Sequence, residues 1–110
     1  MEIEEYVELT MLFDLYGKLL SKKQYEVMDK YLNLNLSESE LAGLGSESRQ
    51  SIHDAVVKAK KQLFEFEEMC HFLSKKQSYL KSVEQLKNDL SLNDNDLEKI
   101  NETIDYIKNN

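Results

Sequence analysis

Hydrogen-bonding side chains crowd into the stretch 48–53, among them Ser48, Arg49, Gln50 and His53. Arginine offers a rigid fork of donors that fits a guanine edge or a phosphate, and glutamine pairs with an adenine edge in the same two-point way. Serine either caps a helix or bonds a phosphate. Lys58, followed by Lys60 and Lys61, adds cations that can lie along a phosphate backbone. Plainer readings stand beside these. Arg49 also suits a solvated first helical turn, and His53 one turn on suits a surface position. The lysines also suit a helix flank balanced by Glu65, Glu67 and Glu68.

Nucleic-acid chemistry of this kind needs a helix whose first turns are presented outward, and the flanking sequence supplies one. Leu36-Ser37-Glu38-Ser39-Glu40-Leu41-Ala42 reads as a short capped helix, and Gly43-Leu44-Gly45-Ser46-Glu47 as a turn. A second helix starts at Ser48. This is the plan of a helix-turn-helix, with Ala42 small enough for close helix approach and Leu41 and Ile52 shared in the core. A purely structural corner has the same outline.

The remaining elements must hold that corner in place. A first helix is expected from about Ile3 to Leu20, with Leu9, Leu12, Phe13, Tyr16, Leu19 and Leu20 on one arc. Ile3, Val7, Met11 and Leu15 form a second stripe roughly opposite, so two faces need covering, the second by the carboxy-terminal helices or by another copy of the chain. Capping-box signatures fall at Ser21 to Gln24, Ser37 to Glu40 and Ser74 to Gln77. The pentapeptide Leu-Ser-Lys-Lys-Gln occurs at 20–24 and again at 73–77, which reads as two helix starts with the same physics. Ile52, Val56, Ala59, Leu63, Phe66, Cys70 and Leu73 alternate steps of four and three, predicting one long helix of about 39 Å if unbroken to Leu73. Leu80, Val83, Leu86 and Leu90 mark a shorter helix, and Leu97, Ile100, Ile104 and Ile107 the last. Ser91, Asn93 and Asp94 are cap residues between these two. The expected division is a helix-turn-helix domain over 1–73 and a carboxy-terminal hairpin over 74–110 packed on the same core.

Composition narrows the classes. The 110 residues contain no proline and only Gly17, Gly43 and Gly45, which favours helices throughout. No apolar run approaches the roughly 18 residues of a membrane span, so no membrane insertion is expected. The amino terminus lacks the order of a secretion signal, and a lone Cys70 makes no internal disulfide, so a cytoplasmic setting is expected. Cys70 and His71 diverge by about 100° on a helix and make no metal pair. Asn93-Asp94-Asn95-Asp96 lacks the glycine and glutamate of a calcium loop. No nucleophile has an evident base beside it and no phosphate loop is present, so neither an enzyme nor a cofactor is expected. Formal charge is −7, which opposes binding nucleic acid with the whole surface. The stretch 46–62, with four bases against two acids, leaves room for a modest basic face.

Several segments, in order, carry a resemblance. They are Leu12-Phe13-Asp14-Leu15-Tyr16, Leu19-Leu20-Ser21-Lys22-Lys23-Gln24, Met28, Tyr31-Leu32, Leu36-Ser37, Glu40-Leu41-Ala42 and Ser48-Arg49-Gln50-Ser51-Ile52-His53-Asp54. Together they resemble the YlxM family of small bacterial proteins from residue 1 to about 72, while the tail matches in helical character only. The resemblance implies an all-α fold similar to the carboxy-terminal domain of sigma factors, with a long helix and a helical hairpin after the helix-turn-helix. It implies a nucleic-acid-binding or regulatory role in the signal recognition particle pathway, since genes of the family neighbour those of the particle's GTPases. By position, Ser48, Arg49, Gln50 and His53 become the candidate contacts, with Lys58 beyond them. The partners to expect are duplex DNA, the particle's RNA or its GTPase, and a second copy of the chain against the first helix. The alternative is an accessory factor of the GTPase that binds protein or RNA and no DNA. The chain departs from the family in its turn, where Gly45 and Glu47 stand at usually apolar positions and Glu47 sets a negative charge before the second helix.

Overall fold

The computed structural model describes residues 2–45 and 47–109 and is all-α. Helices α1 (Ile3–Tyr16), α2 (Lys22–Asn33), α3 (Glu38–Gly43) and α4 (Arg49–Cys70) form a first unit that ends at His71. Helices α5 (Phe72–Asp89) and α6 (Asp94–Asn109) form a second that begins at Phe72.

In the first unit α4 is the shared wall on which α1, α2 and α3 pack. Leu9, Leu12, Phe13 and Tyr16 recur at helical spacing on α1 and are buried. Val27, Met28 and Leu32 of α2, Leu41 of α3, and Ile52, Val56, Ala59 and Leu63 of α4 are buried in the same unit. The four-three spacing on α4 thus builds intramolecular core. Tyr16 joins both chemistries, its ring 6.0 Å from that of Phe66 and its hydroxyl donating to Glu67 Oε1 at 2.7 Å. On the outer stripe of α1, Ile3 is 83% exposed, Val7 and Met11 are exposed to 44% and 40%, and Leu15 is half-buried.

The first helix is shorter than its pattern. The α-helix closes at Tyr16, and Gly17–Leu19 tighten into a 3₁₀ turn. Tighter winding rotates later side chains, so Leu20 is buried while Leu19, expected on the apolar arc, is 63% exposed. Glycine suits position 17 because a Cβ there would crowd the Phe13 ring at 3.0 Å. Leu20 is then extended, which frees Ser21 to cap α2. Its hydroxyl accepts from Gln24 N–H at 3.2 Å, while Gln24 Oε1 accepts from Ser21 N–H at 3.1 Å. Ser37 and Glu40 make the same reciprocal pair at the start of α3.

The long helix stops earlier than expected. His71 has φ 57°, a left-handed conformation that ends α4 at Cys70, and α5 starts at once with Phe72. Leu73 therefore belongs to α5, and Ser74 is the third residue of that helix rather than the residue before it. A left-handed cap is usually glycine. Histidine tolerates it better than most residues and leaves no mark in a hydrophobic pattern.

In the second unit α5 and α6 run antiparallel. Lys76 Nζ near the start of α5 donates to Lys108 O near the end of α6, at 2.9 Å. Lys87 Nζ donates to Asn101 Oδ1, also at 2.9 Å. Asn93 caps α6 by accepting from Asp96 N–H at 2.8 Å. Ile104 is buried and Leu80, Val83, Leu97, Ile100 and Ile107 are half-buried. Leu86 and Leu90, expected on the inner stripe, face solvent.

Candidate nucleic-acid interface

The corner is built from α3, the turn and α4. Leu41 and Ile52 are buried and hold the two helices together, as their spacing predicted, while Leu44 in the turn is 64% exposed. The turn is instead fastened by polar groups. Glu47 Oε2 accepts from Lys23 Nζ of α2 at 3.1 Å and from the Ser51 hydroxyl of α4 at 2.6 Å. Ser51 Oγ in turn accepts from Lys23 Nζ at 2.7 Å. The Ser51 hydroxyl, and after it the Lys23 ammonium, hold the Glu47 carboxyl below its ordinary value of 4.5.

The five candidate residues take different positions. Ser48 caps α4, its hydroxyl accepting from Ser51 N–H at 3.0 Å. Gln50 Nε2 donates to Asp54 Oδ1 at 2.9 Å on its own helix. His53 Nδ1 lies 2.8 Å from Glu38 Oε1, tying α4 to α3. Arg49 is exposed and makes no ion pair among the described residues. Ser48, Gln50 and Lys58 border one open groove of about 530 Å³ between the amino ends of α2 and α4, with Lys23 and Ser51 also on its wall. Arg49 and His53 are four residues apart on α4, so they share a neighbouring face of the helix, outside that groove.

The three lysines diverge. Lys58 borders the groove, Lys60 sits 5.3 Å from the centre of the Tyr31 ring, and Lys61 lies 4.0 Å from Glu65 in a solvated pair. Lys23, Glu38 and Ser51 were not singled out from the sequence. Lys23 reaches across 28 residues to Ser51, and no local pattern encodes that meeting. Among the described residues no group of three His, Cys, Asp or Glu side chains could hold a metal ion. No helix among them is long and apolar enough to cross a membrane.

A short capped helix, a turn and a long helix with its first turns in solvent make this an all-α helix-turn-helix protein. The chain matches, over residues 3–104, the family model described as "Putative helix-turn-helix protein, YlxM / p13 like", and it belongs to that family, UPF0122. The match takes in most of the tail as well as the corner. It is 38% identical over 109 residues to the UPF0122 protein of Clostridium botulinum strain Alaska E43, covering 96% of this chain and all of that one. The family protein of Clostridium kluyveri is 32% identical over 98% of this chain and 99% of its own length. That of Fusobacterium nucleatum is 34% identical over 94% and 99%. No solved structure matches significantly.

Proposed function

We propose that this protein is a non-catalytic, cytoplasmic nucleic-acid-binding protein that reads duplex DNA with the first turns of α4. The observation that carries this reading is the groove bordered by Ser48, Gln50 and Lys58, beside an exposed Arg49 that no carboxylate neutralises among the described residues. In such a corner the second helix supplies base contacts from its amino end, while serine and lysine on its flank engage phosphates. A homodimer through the exposed outer stripe of α1 would present two such helices to one duplex. Sedimentation equilibrium of Val7→Glu beside wild type tests that pairing, and an unchanged mass would remove it.

A second reading has its own support. Gln50 and His53 are both engaged by acids of this chain, and the net charge is −7. This combination suits an accessory factor that contacts the signal recognition particle's RNA or GTPase without binding DNA. Fluorescence anisotropy of a labelled duplex from the protein's own operon, at low and physiological salt, separates the two. The first reading expects salt-dependent binding that Arg49→Ala weakens about tenfold or more, the scale of one good bidentate contact. Binding unchanged in Arg49→Ala would remove α4 as the reader. No binding at low salt, with co-sedimentation on the particle, would establish the second reading.

A further inference from the structure

Glu47 stands just ahead of α4, and its Oε2 is bound by two groups from different helices. They are the Lys23 ammonium at 3.1 Å and the Ser51 hydroxyl at 2.6 Å. An oxygen held by an ammonium and a hydroxyl presents the same acceptor chemistry as a non-bridging phosphodiester oxygen. The two donors lie on the wall of the groove that Ser48, Gln50 and Lys58 border. The pair is open to water, with the Lys23 and Glu47 side chains about half exposed, so desolvation does not lock it and an outside anion can compete for it.

We propose that Lys23 and Ser51 are a backbone-phosphate contact of the nucleic-acid interface, and that Glu47 occupies this contact in the free protein. Glu47 is then an internal competitor that sets affinity. The inference rests on the reading of α4 as a duplex-binding helix. When a phosphate arrives, the Lys23 ammonium and the Ser51 hydroxyl exchange one anionic oxygen for another, and the Glu47 carboxylate turns to solvent. A glutamine at 47 keeps the size and an acceptor oxygen but loses the charge that competes with the phosphate. The sequence reading that Glu47 disfavours nucleic acid thereby acquires a geometry, because its charge is directed at two donors the ligand would use.

The test titrates a labelled duplex of about two helical turns with wild type, Glu47→Gln and Glu68→Gln. The last removes the same unit charge farther along, on α4 itself. Glu47→Gln is expected to bind about fivefold tighter, the upper scale of one exposed ion pair. Glu68→Gln should stay within about twofold of wild type. Adding Lys23→Gln to Glu47→Gln should abolish the gain. Equal binding by wild type and Glu47→Gln would overturn the competitor while leaving α4 as the reader. An equal gain in Glu68→Gln would overturn it in favour of bulk charge. Failure of both wild type and Glu47→Gln to bind at low salt would overturn the duplex reading and the competitor with it.

Discussion

The same five residues, Leu-Ser-Lys-Lys-Gln, occupy two places in this chain and do different things in each. At 20–24 they start a helix: Leu20 is extended and buried, Ser21 caps, and Gln24 reaches back. At 73–77 they lie inside α5, with Leu73 buried to the same 8% exposure and Ser74 in the third position of the helix. Identical local physics is therefore overridden by the residue just before. The 3₁₀ turn at Gly17–Leu19 delivers Leu20 into extended backbone. The left-handed His71 has already started a helix at Phe72. A cap signature is a potential, and the conformation arriving at it decides whether it is used.

The comparison can be broken most forcefully at the leucines. Leu20→Ala should cost about 2–4 kcal/mol in denaturant unfolding, since it empties a site fixed by a helix start and a dense core. Leu73→Ala should cost at least about 1 kcal/mol less, because two helices with few buried side chains can close over the gap more easily. Equal losses would mean that the hairpin is as rigidly packed as the first unit.

The serines test the caps directly. Ser21→Ala should destabilise by about 1 kcal/mol, the usual value of a lost cap. Ser74→Ala should cost less than Ser21→Ala, as alanine suits a helix interior. A larger loss at Ser74 would show that this serine caps after all.

The second lysines give the smallest effect and sharpen the contrast. Lys23 bonds a side-chain carboxylate, whereas Lys76 bonds a backbone carbonyl. The Glu47 carboxyl has a folded pKa below its unfolded value. The Lys23 contribution is thus present above about pH 4.5 and disappears as pH falls through the lower folded value. The stability gap between wild type and Lys23→Ala should close over that acid range, while the gap for Lys76→Ala does not. Parallel pH profiles for the two variants would show that Glu47 is not Lys23's working partner.

These pairs also show what could be read from residues alone. The all-α class, the corner at 37–53 and the caps at Ser21 and Ser37 rest on local chemistry, and local chemistry is written in order along the chain. The ending at His71 was not legible, because a non-glycine left-handed residue interrupts a heptad without disturbing it. The solvent side of Leu86 was missed because Leu80, Val83, Leu86 and Leu90 allow more than one inward stripe. At the candidate site, Ser48, Gln50 and Lys58 could be named from type and spacing. Lys23 and Ser51 could not, since their meeting depends on α2 packing across α4.

The glycines carry a consequence for how the sequence can drift. A side chain at Gly17, which is buried in the 3₁₀ turn, would crowd the Phe13 ring, so a mutational scan should find it less forgiving than the other two glycines. Gly43 and Gly45 have nothing within 4 Å of an added Cβ, and neither has a positive φ. Side chains can enter the turn at both without strain. Substitutions at these two positions therefore need not cost the fold, and relatives can vary there while the scaffold stays constant.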